Sequence, residues 1–449
     1  MDTFVIEGGR RLEGRVRING AKNAALPLMA AALLTGDRVT IRDVPPLADI
    51  RNMERLLAEL GCHRLPGEDD ACALQSMDEA CSHARYDVVR TMRASICVLG
   101  PLLARRGSAR ISLPGGCSIG ERPVDLHLRG LAAMGAQITL KSGDILATAP
   151  GGRLRGARIF LGGSFGSTVL GTANIMSAAC LAEGTTIIES AACEPEVVDL
   201  ARMLTAMGAD IEGAGSPRIT VRGVAELRGT DHRVIADRIE AGTFMCAAAI
   251  TNGNLILENC PLDYMMAVCD RLEAAGVHMR TMDETGRPCP EPVNPARANV
   301  RVTCDRLLKP VEITTQPHPG FPTDLQAQLM SLLTLAEGNS VITEKVFPER
   351  FLHVAELTRM GARIFRQGPT VVVSGVRHLV GAPVMASDLR ASASLVLAGL
   401  AAEGSTVVNR VYHLDRGYER MEERLNSLGA AIRRVDEKEL AEDQRAIAV

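Results

Sequence analysis

The sequence predicts an α/β protein of two pseudo-symmetric domains, each made of three copies of one helix–strand unit. Two interleaved glycine series predict it. In the first, LAELGC, LAAMGAQI, LTAMGADI, LEAAGVHM, LTRMGARI and LNSLGAAI carry Gly61, Gly135, Gly208, Gly276, Gly361 and Gly429. Each segment has apolar residues at helical spacing, a glycine suited to a left-handed C′ position, and then a strand-like run. In the second, LLTGDRVTI, RRGSARISL, LAEGTTIIE, ITNGNLILE, LAEGNSVIT and AAEGSTVVN carry Gly36, Gly107, Gly184, Gly253, Gly338 and Gly404. Here a helix end and its glycine lead into an alternating or β-branched strand. Successive members of either series lie about 70 residues apart.

One unit is therefore two helices, each followed by strand, which is much longer than a solenoid repeat. Six such units in 449 residues suit two domains of three. Turns near Asn19–Ala21 and Val234–Asp237 form a natural hinge pair. One domain is then residues 1–21 plus 236–449, and the other is 22–235. The fourth interval is the longest. Its Pro-rich stretch Arg287–Asn299 reads as an inserted surface loop, and the charged segment after Asp436 as a tail.

Composition narrows the function. Charged residues are 23%, net charge is −3 and aromatics are 3% with no Trp. No basic field and few stacking platforms are available for nucleic acid. The longest apolar stretch, from Ala24 to Leu34, is too short to span a bilayer. With no signal core at the start, the expectation is a cytoplasmic protein. The 12 Cys include no CxxC pair, so most read as small buried hydrophobes and not as a disulfide or metal framework. No metal and no cofactor are expected.

Function should lie where polar segments depart from the repeat. INGAKNAALP places Lys22 and Asn23 at a loop-to-helix turn. Such a turn suits an anion, although a lone Lys is more often solvated surface. YDVVRTMRAS puts Arg90 and Arg93 about one turn apart on one helical face, fitting a solvated face and an anion site equally. LPGGCSIGERPVDLHL sets Cys117 between glycines and beside Arg122, the electropositive setting that lowers a thiol pKa. PHPGFPTDLQAQ leads into a helix at Asp324, which is either its N-cap, the reading local sequence favours, or a positioned base. Arg350 in FPERFLH, Asp388 and Arg390 in SDLRAS, and Arg416 in HLDRGYER each read singly as solvated charge.

Together these motifs resemble the enolpyruvyl transferase family. GAKNAALP, TMRAS, LPGGC, RPVDLHL, FPTDLQAQ, DLRASASLVLAG and HLDRGYER stand in family order along essentially the whole chain. The resemblance implies two inside-out α/β barrel domains of three repeats, with the active site in the interdomain cleft. It implies transfer of the enolpyruvyl group of phosphoenolpyruvate to the 3′-hydroxyl of UDP-N-acetylglucosamine, through a tetrahedral intermediate and without metal. That reaction is the first committed step of peptidoglycan synthesis. Lys22, Arg122 and Arg416 match the cations that hold phosphoenolpyruvate. Cys117 matches the loop Cys that protonates C3 or forms a thioether adduct, and Asp324 the carboxylate near the sugar hydroxyl. Asn23, Arg93, Arg350, Asp388 and Arg390 match closure and substrate positions, as do Pro123, Val124, Asp125 and Leu126 beside Arg122. Three departures stand out: Glu121 follows Gly120 where the family has a small residue, Arg90 replaces a Lys, and GSFGSTVLGTANIM replaces a shorter nucleotide loop. Ser164, Gly166 and Thr168 are the nucleotide-side candidates there. A shikimate-pathway member of the same fold would lack the LPGGC cysteine.

Overall fold

The structure is a computed structural model that describes residues 2–66, 71–114, 124–290, 292–305 and 307–436. The chain forms two compact units. One is built from its two ends, up to Asn19 and from Ala236 on; the other comes from the described residues between, starting at Gly20 and ending at Ile235.

Each unit carries three four-stranded sheets, and all six among the described residues share one strand order. In the terminal unit, Glu312–Thr314 runs parallel to Asn339–Thr343. That strand pairs antiparallel with Thr370–Ser374, which pairs antiparallel with Arg363–Gln367. In the central unit, Arg158–Phe160, Thr185–Glu189, Arg218–Arg222 and Asp210–Glu212 repeat the pattern. Asn339–Thr343 alternates exposed or half-buried residues with buried Ser340 and Ile342, as a sheet with one covered face requires.

Chain ends close each set. Asp2–Glu7 lies between Ser405–Asn409 and Ala431–Asp436, with Ile6 opposite Thr406 and Ile432. Glu13–Arg17 runs parallel to Asn254–Cys260. In the central unit, Asp231–Arg233 runs parallel to Val39–Arg42 and completes the first sheet with the last strand.

Helices of two kinds cover the sheets. Val169–Ala179 and Ser392–Ala401 are apolar or small all round and almost wholly buried. Arg238–Ile250, Gln326–Leu333 and Ser392–Ala401 pack on one another inside the terminal unit. Small residues allow the close approach: a Cβ on Gly242 would meet Leu325 Cδ1 at 2.4 Å. The second kind is amphipathic. Leu352–Arg359, for example, buries only His353 and Leu357.

All six glycines of the first series have positive φ, from 76° at Gly61 to 106° at Gly208. The second series divides. Gly107, Gly184, Gly338 and Gly404 are left-handed, while Gly36 and Gly253 are not. Before Gly253 the turn is made by Asn252 at φ 53°, and the missing Cβ leaves room for the Leu12 carbonyl. The fourth-repeat insertion leaves Val277–Met282 through a turn in which the Asp283 carboxylate accepts Thr285 N and Arg287 N. It returns through a Pro295–Arg297 turn to Ala298–Cys304.

The two requirements on a glycine separate experimentally. Gly135→Ala meets no atom within 4 Å, so only its φ of 92° opposes the methyl group, at about 1–2 kcal/mol. Gly61→Ala also drives a Cβ to 2.0 Å from the Asp78 carbonyl oxygen. Thermal melts should show Gly61→Ala distinctly less stable than Gly135→Ala; equal losses would remove the close approach as a cause.

Candidate functional site

The terminal unit concentrates the charged candidates into one buried chain. The turn after Thr343 brings Arg350 inward, its backbone N donating to Phe347 O at 2.9 Å. The guanidinium is buried and grips Asp388 at two points, Nε to Oδ2 at 2.8 Å and Nη2 to Oδ1 at 3.2 Å. Its Nη1 donates to Asp324 Oδ1 at 2.7 Å and to Thr323 Oγ1 at 3.2 Å. Asp388 Oδ1 also accepts Arg390 N at 2.8 Å. Arg390, 1% exposed, donates to Asp237 Oδ2 at 2.6 Å and to Gly417 O at 2.9 Å, and its guanidinium lies over the Tyr418 ring. Asp237 in turn caps Arg238–Ile250 by accepting Ile239 N and Glu240 N.

Arg350, Asp388 and Arg390 are therefore not the solvated charges that local sequence suggests. Each is a long or short polar group whose partners come from distant segments, and burial becomes tolerable only when they meet. Burial by itself would raise the Asp388 carboxyl, but Arg350 and the Arg390 amide hold it below the ordinary aspartate range. Burial would lower the Arg350 guanidinium, and Asp388 and Asp324 reverse the shift. Asp324 is also not an N-cap: neither Thr323–Leu325 nor Gln326–Leu333 has a side-chain cap. Its carboxylate turns to Arg350, leaving the side chain 25% exposed.

Arg416 ends the turn Val411–Arg416 and is half-buried. Its neighbour Asp415 is held by Arg434, Nη2 to Oδ1 at 2.6 Å, and Arg434 also binds Glu422 and Asp2. The turn is thus fixed on both sides, by Gly417 O on Arg390 and by Asp415 on Arg434.

In the central unit, Lys22 is the first residue of Lys22–Ala31 and is buried, its Nζ 3.1 Å from Asp49 Oδ2. It too is not a solvated Lys. Asn23 beside it is half-buried. Arg90 and Arg93 do not share a helical face. Tyr86–Val89 ends at Arg90, Met92 is extended at φ −149°, and Arg93 opens a new turn. Arg90 is exposed near the Tyr86 ring, and Arg93 is half-buried.

Val124 is buried and Asp125–Ala133 is a helix with Asp125 exposed at its start. The departure GSFGSTVLG folds as a small hairpin, Gly162–Gly163 against Gly166–Ser167, with Ser164 and Phe165 exposed at its tip. Thr168 caps the next helix, its Oγ1 accepting Gly171 N at 3.2 Å. A Cβ on Gly163 would lie 3.2 Å from Leu126, so the hairpin packs beside the start of the Asp125 helix. Cys117, Arg122 and Pro123, with Glu121, lie outside the described residues.

Sequence reasoning missed Asp49, Asp237, Thr323 and Glu344. Asp237 had a signal, as an N-cap residue just before a helix; the others are ordinary polar residues until distant loops meet. Among the described residues no group of three or more His, Cys, Asp or Glu could hold a metal ion. Nor is any helix there long and apolar enough to cross a membrane. The described cysteines are free, and burial pushes Cys97, Cys180 and Cys246 up to about 12. A groove of about 620 Å³ beside the fourth-repeat insertion, lined by Met266, Cys269 and Met279, contains none of these site residues.

His353 follows Arg350 and is buried at 2% exposure. Burial, the largest influence on it, lowers its pKa from 6.5 to about 4. Below about 6.5 the unfolded chain takes up a proton that the folded chain refuses until about 4. Stability from this group is thus present above 6.5 and is lost as pH falls across that window. Denaturation of His353→Leu from pH 7 to pH 4 should show a flatter decline than the parent; parallel curves would place the acid sensitivity elsewhere.

Comparison with known proteins places the chain in a family. The sequence matches the EPSP synthase (3-phosphoshikimate 1-carboxyvinyltransferase) family over residues 6–425. It is 54% identical over 436 residues to the UDP-N-acetylglucosamine 1-carboxyvinyltransferase of Anaeromyxobacter sp. (strain Fw109-5), covering 97% of this chain and 99% of that relative. It is 51% identical over 438 residues to the enzyme of that name from Methylacidiphilum infernorum, covering 98% of this chain and 100% of the relative. Among solved structures, the enolpyruvyl transferase NikO from Streptomyces tendae superposes with a TM-score of 0.85 at 27% identity, over 97% of this chain and 99% of that one. EPSP synthase from Acinetobacter baumannii has the same fold, with a TM-score of 0.74 at 20% identity over 97% and 100%. Sequence match and superposition agree that the chain belongs to the EPSP synthase family of enolpyruvyl transferases.

Proposed function

We propose that this chain transfers the enolpyruvyl group of phosphoenolpyruvate to the 3′-hydroxyl of UDP-N-acetylglucosamine with release of phosphate, the first committed step of peptidoglycan synthesis. The observation that carries the reading is 54% identity, over nearly the full length of both chains, to a UDP-N-acetylglucosamine 1-carboxyvinyltransferase. Each unit is read as an inside-out α/β barrel of three repeats. Three like-ordered sheets and mutually packed buried helices support that. Free thiols suit a cytoplasmic location.

The roles follow from residue chemistry. Phosphoenolpyruvate brings a carboxylate and a phosphate, and Lys22, Arg122 and Arg416 supply the matching cations. Cys117 gives a proton to C3, which makes C2 electrophilic. The 3′-oxygen of the sugar then bonds to C2, and its proton passes to Asp324. In the tetrahedral adduct the Cys117 thiolate takes a proton back from C3 while the C2–O bond to phosphate breaks, and Asp324 passes its proton to the departing phosphate, so the double bond is restored and both residues return to their starting states. Asp324 suits the base role because one oxygen is anchored on Arg350 while the side chain stays partly open. Asn23, Arg93, Asp125, Leu126, Ser164, Gly166 and Thr168 are assigned to the sugar-nucleotide side. Arg350, Asp388 and Arg390 hold the loops that carry Asp324 and Arg416.

Phosphate release should be rapid with phosphoenolpyruvate and UDP-N-acetylglucosamine and absent with shikimate 3-phosphate. The reverse preference would sink the proposal. Lys22→Ala and Arg416→Ala should each raise the KM for phosphoenolpyruvate far more than that for the UDP-sugar; the opposite ranking would reassign both cations.

Fosfomycin, an epoxide analogue of phosphoenolpyruvate, should add once to the protein, on the Cys117 peptide, as read by mass spectrometry. Cys117→Asp should stay active and escape the adduct, because a carboxylic acid can give the same proton without a thiol. An adduct on another peptide would remove Cys117 from the role.

A further inference from the structure

Glu344 is completely buried, yet nothing in the proposed chemistry uses it. Four donors converge on its carboxylate. Oε1 accepts the Thr315 hydroxyl at 2.6 Å and the Val346 and Phe347 amides at 2.9 Å each. Oε2 accepts the Thr323 hydroxyl at 2.9 Å. Thr315 Oγ1 itself accepts Lys345 N at 2.9 Å, so its proton is committed to Glu344. The site is built for a carboxylate, since every facing group donates.

Repeat symmetry supplies a second observation. At the end of the corresponding strand, four repeats turn through a left-handed residue: Asp43, Ser190, Asn259 and Arg410, with φ between 55° and 60°. Glu344 occupies that corner after Asn339–Thr343 and is not left-handed. Here the chain is turned by a side chain capping two amides, and the new course leads through Phe347 to Arg350.

We infer that Glu344 is a positioning residue for the Asp324 carboxylate, acting through the Thr323 hydroxyl and Arg350. Glu344 can only accept, so Thr323 must point its proton at Glu344 and its lone pair at Arg350 Nη1. That same Nη1 holds Asp324 Oδ1 at 2.7 Å. The order is fixed by donor and acceptor type: Glu344 receives from Thr323, Thr323 receives from Arg350, and Arg350 gives to Asp324. The inference rests on the reading of Asp324 as the group that takes the sugar hydroxyl proton.

Glu344→Gln tests it, because the amide keeps the shape and inverts one end. If the amide nitrogen faces Thr323, the hydroxyl must turn its proton toward the Arg350 donor. If it faces the other way, it opposes Thr315 and two backbone N–H groups. We expect kcat to fall roughly tenfold or more with the KM for both substrates within about twofold. Thr323→Val should match that fall, and Thr323→Ser, which keeps the hydroxyl, should stay near the parent. In an Asp324→Asn background, Glu344→Gln should add no further loss of kcat. Wild-type kcat in both Glu344→Gln and Thr323→Val, with Asp324→Asn inactive, would overturn the positioning role alone. An active Asp324→Asn would overturn the reading of Asp324 and this inference with it. Should Glu344→Gln not fold, the Thr323 pair decides: equal kcat in the Val and Ser variants overturns the inference, and a loss confined to Val supports it.

Discussion

The arrangement of the terminal unit turns on one guanidinium shared by two carboxylates. Arg350 binds Asp388 at two points and Asp324 at one, and it does so out of water. Through Asp388 the chain continues to the Arg390 amide, and through the Arg390 side chain to Asp237 and Gly417. Loops from three repeats are thereby tied to the start of Arg238–Ile250. Desolvating so many charges is a poor route to stability, since apolar residues of the same volume often do as well. What the chain achieves is placement. An Arg fork accepts carboxylates in few geometries, so the loops it joins have few geometries open to them.

The surrounding fold makes such placement possible. Three sheets of one strand order, with helices packed on one another within, give a rigid frame of small and aliphatic residues. Two strands from the chain's own beginning join the first and last sheets of the terminal unit and so tie its two chain segments together. The candidate site side chains sit on the loops at strand and helix ends, where variation does not disturb the core. The fifth repeat shows how such a corner is altered. A buried carboxylate replaces the left-handed turn used by four other repeats, and the loop is redirected to Arg350. The hairpin at Gly162–Ser167 stands between the strand Arg158–Phe160 and the helix Val169–Ala179, with Ser164 and Phe165 exposed at its tip.

Much of the architecture was legible in the chain. The repeat was visible because a left-handed C′ residue is costly for anything but glycine, so all six first-series glycines mark real helix ends. The second series meets that requirement in more than one way: Asn252 takes the left-handed position before Gly253, and Gly36 is not left-handed. The pairing of Arg90 with Arg93 failed because helical spacing says nothing of a break, and Met92 is extended between them.

The order of the family's motifs, the six units and the residue types needed to bind an anion and move a proton were determined by the sequence alone. Those features are local, or are carried by order along the chain. Tertiary structure alone decided which charges are buried. Lys22, Arg350, Asp388 and Arg390 look like surface residues in their own segments. Their partners Asp49, Asp324 and Asp237 lie 26 to 153 positions away. A charge leaves water only where an opposite charge and its hydrogen bonds meet it, and no local pattern encodes that meeting.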